Sequence, residues 1–196
     1  MNLAEFDRRL REIAPNNTRP FLCEGSPFEC RAFIVGLNPR TQTPFWPHWN
    51  VSTGCCKSSW LDEYRRRHNN KLGRTRECIE ILFEALGPFK CLETNLYPGW
   101  SNRFRDLPIE FRNTNVFDFI LDAVKPNLVF VHGRKAILHI ERITGQTAFR
   151  RDEVLRNIQL PSHEADLYLR HHLSYQLSTS ECRRIGERLR EHLIHQ

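Results

Sequence analysis

The chain has 196 residues, enough for one domain with a full hydrophobic core, and its 40% hydrophobic and 27% charged residues are the proportions of an ordinary soluble globular protein. No apolar run approaches the roughly 18 residues needed to cross a bilayer, and the N-terminal stretch lacks the apolar core of a signal peptide, so a membrane partner is excluded and a cytoplasmic, bacterial nucleoid-associated location is expected. The formal charge is +6, and 24 of the 29 basic residues are Arg, whose planar fork suits phosphates and base edges; a nucleic-acid partner and a genome-wide Arg bias account equally for that composition.

Residues 1–13 place Leu3, Phe6, Leu10 and Ile13 on one face, ringed by Asp7, Arg8, Arg9 and Arg11, which describes a surface helix ended by Pro15-Asn16-Asn17. Residues 31–37 are a short apolar run rich in branched side chains, closed by Asn38-Pro39, the pattern of a buried central strand. Residues 41–73 are the least regular part of the chain. They carry Phe45-Trp46-Pro47-His48-Trp49, Trp60 and the basic run Arg65-Arg66-Arg67, and a loop of this length is expected to serve an active site.

A helix is expected over residues 75–86, with Cys78, Ile79, Leu82, Phe83 and Leu86 as its apolar stripe and Gly87-Pro88 as its stop. A second strand covers residues 89–94 and ends at Asn95, and a helix covers 115–124. A third strand at 127–132 turns at Gly133 into a helix over 134–143. Residues 159–162 suit a short edge piece, and 166–170 a fourth strand leading to His171-His172. The last helix, 179–195, opens with Ser178 or Thr179 as N-cap and Glu181 in its first turn.

Seven cysteines, at positions 23, 30, 55, 56, 78, 91 and 182, form no Cys-x-x-Cys pair, so reduced, mostly buried thiols are expected and no metal site is assigned. The nearest approach to a metal set is His48, Cys55, Cys56 and His68. No repeat or linker divides residues 1–196, which read as a single domain with residues 1–30 as helix and lead-in. The alternation of strands and helices implies an α/β fold, a three-layer α/β/α sandwich around a central, mostly parallel four-stranded sheet. Ligands in such sheets bind outside the carboxyl ends of the strands. There Asn38, Asn95, His132 and His171 or His172 converge.

The chemistry of these groups is limited but specific. The Asn38 carboxamide can orient a water but is a poor base. Asn95 can satisfy an adjacent carbonyl and N–H on a nucleobase edge, or simply its own turn. Phe45, Trp46 and Trp49 can stack on a flipped base or pin the loop to the core. A histidine such as His172, ahead of a helix, tends to remain neutral and can donate to a developing oxyanion, while Ser174 and nearby amides suit a phosphate.

Gly36-Leu37-Asn38-Pro39, Thr94-Asn95, residues 125–136 and His172-Leu173-Ser174-Tyr175-Gln176-Leu177 together resemble the uracil-DNA glycosylase superfamily. The first of these is similar to the family's Gly-x-Asn-Pro-Gly motif and the last to its His-Pro-Ser motif, in the family's order, from about Arg31 to the C-terminus. Arg40 stands where the motif has glycine and Leu173 where it has proline; His172 is taken over His171 because Ser174 then falls in register. The resemblance implies a DNA repair hydrolase that releases uracil or a related damaged base from a flipped nucleotide. Asn38 would place the water and His172 would steady the departing base. Gly36, Leu37, Pro39, Asn95 and Ser174 would hold the substrate, with Phe45 or Trp46 stacked on it, while Arg40, Tyr175, Gln176 and Leu177 would contact DNA. Uracil-containing or damaged DNA is the implied partner of a monomer, with no metal, iron–sulfur cluster or organic cofactor.

Three other readings remain open. One keeps the fold and binds nucleic acid with catalysis lost or redirected. A second is an unrelated α/β hydrolase using Cys55 or Cys56 with His48 or His68. The third is a small-molecule or nucleotide-binding protein without a DNA partner.

Overall fold

A computed structural model describes residues 1–147, 152–171, 173 and 177–195. The chain runs α1 (Leu3–Ile13), β1 (Phe21–Leu22), β2 (Glu24–Gly25), β3 (Ala32–Gly36), β4 (Trp49–Asn50), β5 (Gly54–Cys56), α2 (Lys57–Arg67), α3 (Arg74–Ala85), β6 (Cys91–Asn95), α4 (Asn115–Val124), β7 (Leu128–His132), α5 (Arg134–Thr144), β8 (Val154–Gln159), β9 (Glu164–Arg170) and α6 (Thr179–Ile194). The fold is α/β, as the alternation of patterns implies. The sheet differs from the expected one: it has six strands, in the order β1-β6-β3-β7-β9-β8, and is mixed.

Its inner four strands, β6, β3, β7 and β9, run parallel, and they are the four strands expected from the sequence. The antiparallel edges β1 and β8 escape sequence reading for different reasons. β1 has only two residues. β8 is mostly half-exposed, and its alternation breaks at a register shift between Leu155 and Ile158, where Asn157 takes a φ of 54°. A second, three-stranded sheet, β2-β5-β4, comes from segments read as lead-in and loop. Its tightest point needs glycine: a Cβ on Gly54 would lie 2.1 Å from the Gly25 carbonyl oxygen, at a φ of +89°.

Alternation along the parallel strands sends side chains to two apolar layers, as a sheet covered on both faces requires. Ala32 and Ile34 of β3, Leu128 and Phe130 of β7 and Tyr168 of β9 pack with Cys78, Ile79 and Leu82 of α3 and with Ile185 and Leu189 of α6. Phe33, Val35, Val129, Val131, Leu167 and Leu169 share the other layer with side chains of α1, α4 and α5, and α2 contributes Trp60 and Leu61. The three-layer expectation holds in that sense.

Helices α3 and α6 lie close together because Gly186 has no side chain; a Cβ there would sit 2.5 Å from that of Ala85. They are also joined by a disulfide between Cys78 and Cys182, which corrects the expectation of uniformly reduced thiols. Cys23, Cys30, Cys55 and Cys91 are free and buried, and Cys56 is free and exposed. Helix α6 starts at Ser178, one of the two expected N-caps, and Glu181 closes a capping box with it. Among the described residues no helix is long and apolar enough to cross a membrane.

Candidate active site

The carboxyl ends of β3 and β6 are neighbours, with Gly36 paired to Asn95, and the chain after β6 then follows the turn after β3. Leu96 donates its N–H to the Gly36 carbonyl, Tyr97 to that of Leu37 and Ser101 to that of Pro39, each at 2.9 Å. The turn is therefore held along its whole length by the 96–101 segment. Asn38 Nδ2 completes the attachment, lying 3.0 Å from the Pro39 carbonyl oxygen, 3.1 Å from that of Ser101 and 3.0 Å from Ser101 Oγ. Those bonds occupy the donor side of the carboxamide. Its Oδ1 accepts no hydrogen bond among the described residues and is the face left for a water or ligand.

Asn95 is buried, and its Nδ2 has no hydrogen-bond partner among the described residues. A buried amide donor left unsatisfied costs about 1–3 kcal/mol, so native proteins rarely keep one without a use. Asn95 Oδ1 lies 2.9 Å, and His132 Nε2 3.1 Å, from where a Cβ on Gly36 would stand. Gly36 is thus glycine because the Asn95 carboxamide and the His132 imidazole close over its Cα, leaving no room for a side chain.

These groups line a cleft of about 850 Å³. Tyr64 and His68 also line it, stacked with ring centroids 4.2 Å apart, as does Phe104, with Lys135 Nζ 3.3 Å from its ring centre. Arg40, Arg74 and Arg103 are exposed cations on its walls. Helix α3 starts at this wall with Gly73 as its N-cap, and a helix N-terminus favours negative charge.

Beneath lies a buried charge network. Glu93, two residues before Asn95, accepts from Arg76 Nη2 at 2.6 Å, from Arg76 Nη1, and from Arg19 Nη2 at 2.9 Å. Arg76 also reaches Glu80 at 3.1 Å, and Glu80 pairs with Lys57. Burial pushes the Glu93 carboxyl up, but the charges of Arg76 and Arg19 outweigh it and hold the pKa at about 2. Burial lowers Arg19 to about 10 despite Glu93, whereas Glu93 and Glu80 hold Arg76 above its usual value against burial. All three stay ionised at neutral pH. Both guanidiniums lie over the buried Trp60 ring, at 5.1 Å for Arg19 and 5.0 Å for Arg76. Three cations against two carboxylates leave this cluster one positive charge in excess.

Gly36, Leu37, Asn38, Pro39, Arg40 and Asn95 are all brought to this one cleft. Phe45 and Trp46 are not, which corrects their assignment as the stacking rings. Phe45 is fully buried against Phe21, Trp46 and Trp49, and Trp46 packs on the same core under the Arg11 guanidinium. They pin the loop. The aromatic side chains of the cleft are Tyr64 and Phe104, which no motif marked. Tyr64 shares the apolar stripe of α2 with Trp60 and Leu61, a spacing visible in the sequence. Glu93, Arg19 and Arg76 had no sequence signal beyond an unexpected carboxylate inside an apolar strand.

Leu177 is also corrected as a DNA-contacting side chain: it is buried, and its carbonyl accepts from Arg74. His172, Ser174, Tyr175 and Gln176 lie outside the described residues. The cysteine-hydrolase reading lacks its dyad. The His48 ring bonds Ser59 and Glu63, and His68 bonds the Tyr64 carbonyl, while Cys55 is buried and Cys56 Sγ meets Ser58 Oγ. Among the described residues no group of three His, Cys, Asp or Glu could hold a metal ion. In comparisons with known proteins, neither a family model nor a curated protein matches this chain.

Proposed function

We propose that the protein hydrolyses the N-glycosidic bond of uracil, or of a related damaged base, in DNA. The observation that carries this reading is the buried Asn95 Nδ2, without a hydrogen-bond partner among the described residues, in the same cleft as the Asn38 carboxamide. A base with a carbonyl next to an N–H satisfies both ends of Asn95, Nδ2 donating and Oδ1 accepting. The base lies in the cleft beside Asn95, where Tyr64 and Phe104 offer apolar walls. Reaching such a site requires the nucleotide to leave the stack.

Hydrolysis then proceeds by cleavage of the bond between C1′ and the base nitrogen, the electron pair leaving with the base. Asn38 Oδ1 accepts a hydrogen bond from the water that adds to C1′. An amide is too weak a base to take that proton, which suits attack on an already cationic sugar, the proton passing from the added water to solvent or to the departing base anion. Negative charge growing on the base strengthens the hydrogen bond from Asn95 Nδ2, and the excess positive charge of the Arg19–Glu93–Arg76 network lies behind it. The exposed arginines of the cleft suit the phosphates on either side. His172, by resemblance the further donor to the leaving base, belongs to the same proposal.

Strand cleavage by alkali at a defined deoxyuridine, after incubation with the protein, tests the reading. The wild type should produce it, and Asn38→Ala and His172→Ala should lower the rate on the order of 100-fold. Salt-sensitive DNA binding without base release would instead favour a binding protein of the same fold.

A further inference from the structure

A second cavity, of about 290 Å³, opens beside the cleft and shares Arg19, Thr41 and Gln42 with it. We propose that this side cavity binds the base of the nucleotide next to the target, so that the enzyme engages a two-nucleotide, single-stranded step; this rests on the nucleic-acid reading of the main cleft. The cavity is at the small end for ligand pockets and suits one ring system. One wall carries Trp100, which is 38% exposed.

That exposed indole is on a fixed segment. Gly99 lies so close under Phe111 that a Cβ would meet it at 2.6 Å, and the Ser101 N–H is bonded to the Pro39 carbonyl. The Pro98 carbonyl accepts from the Arg19 N–H at 2.9 Å. An exposed indole carried on a backbone tied down on both sides is a stacking platform, because every base has a π-face to set against it.

The remaining lining argues for a base over a simple anion. Asn16, Asn17 and Gln42 bring carboxamides, each with both donors and acceptors. Thr43 is buried, and its Oγ1 has no hydrogen-bond partner among the described residues. A nucleobase edge alternates donors and acceptors and can satisfy such groups, whereas a bare anion can use only donors. Arg19, buried in the wall common to both cavities and paired with Glu93, and Arg67, at the side cavity and paired with Glu63, set guanidiniums beside the path of the phosphodiester joining the two nucleotides. The Ser101 that follows Trp100 also receives the Asn38 carboxamide, so the platform and the water-placing residue share one support.

The test compares two single-stranded oligonucleotides, each with one deoxyuridine, flanked on both sides by thymidine or by abasic tetrahydrofuran residues. Binding is followed by fluorescence anisotropy at fixed salt, with uracil release read in the same samples. Wild type should bind the thymidine-flanked strand more tightly, on the order of tenfold. Trp100→Ala should bind both strands alike, at the wild-type affinity for the abasic-flanked one, with an unchanged thermal midpoint. Thr43→Val, which keeps the volume and removes the hydroxyl, should shrink the preference. Equal binding of the two strands by wild type, or a full preference in Trp100→Ala, overturns the proposal. Uracil release without a flanking-base preference overturns the side cavity alone. A preference without release supports the side cavity and contradicts the glycosylase reading.

Discussion

The carboxyl edge of the parallel strands and the segment from 41 to 73 both build the cleft, yet only the first is written locally in the sequence. At the sheet edge, β3 and β7 are continuous apolar runs closed by a turn, and Gly36, Asn38 and Asn95 reach one cleft simply because the strands are parallel and in register. In the second region, α2 begins after Cys56 without a side-chain cap; its Ser58 N–H is bonded at 3.0 Å by Glu24, 34 positions earlier. Backbone geometry places the first set of groups. Long-range packing places the second.

Removing the packing should therefore break the second region most severely. Trp60 is fully buried, beneath both guanidiniums and bonded through Nε1 to the Thr43 carbonyl. Trp60→Ala is expected to cost about 3–5 kcal/mol in a chemical denaturation curve. It should also loosen Tyr64 in the cleft, visible as weakened oligonucleotide binding.

Glu93 joins the two regions, and its replacement comes next. Its folded pKa of about 2 lies below the ordinary 4.5, so its contribution is complete above about pH 4.5 and fades as pH falls toward 2. That difference corresponds to roughly 3 kcal/mol. Glu93→Gln should lose a similar amount at pH 7, leaving Arg19 and Arg76 buried with an uncompensated charge, and should lack that part of the acid dependence. Denaturation midpoints at pH 7, 4 and 3 for both proteins measure it.

Gly36→Ala sharpens the first region. The new methyl must displace Asn95 or His132, at an expected cost of about 1–3 kcal/mol, while base release falls far more than stability does. A smaller effect separates the aromatic residues. Phe45→Leu should lower stability by about 1 kcal/mol without altering oligonucleotide affinity. Phe104→Leu should do the reverse, because Phe45 is core and Phe104 lines the cleft.

The sequence carried the four inner strands, helices α1, α3, α4, α5 and α6 and the polar residues at the strand ends, because hydrophobic period and Gly, Pro and Asn punctuation are local signals; α2 reads there as part of the 41–73 loop. It did not carry β1, β2, β4 or β5, each two or three residues long and held by partners distant in the chain. The Cys78–Cys182 disulfide spans 104 positions and follows only from the packing of α3 on α6. Within the cleft, Asn38 and Asn95 were legible as turn asparagines after strands. Glu93 was visible as a carboxylate in an apolar run, but its two arginines sit 74 positions before it and 17 before it. Phe45 and Trp46 misled because an aromatic cluster looks the same whether it stacks on a ligand or anchors a loop.

The most direct test of the central claim is the single-turnover rate of free uracil release from a single-stranded oligonucleotide, for wild type against Asn95→Asp. The aspartate keeps the shape of the side chain and removes its donor. Uracil release by wild type, slowed on the order of 100-fold in Asn95→Asp with the fold intact, is the predicted result. Wild type that binds the oligonucleotide and releases no base, or an Asn95→Asp protein that releases uracil at the wild-type rate, would contradict the account.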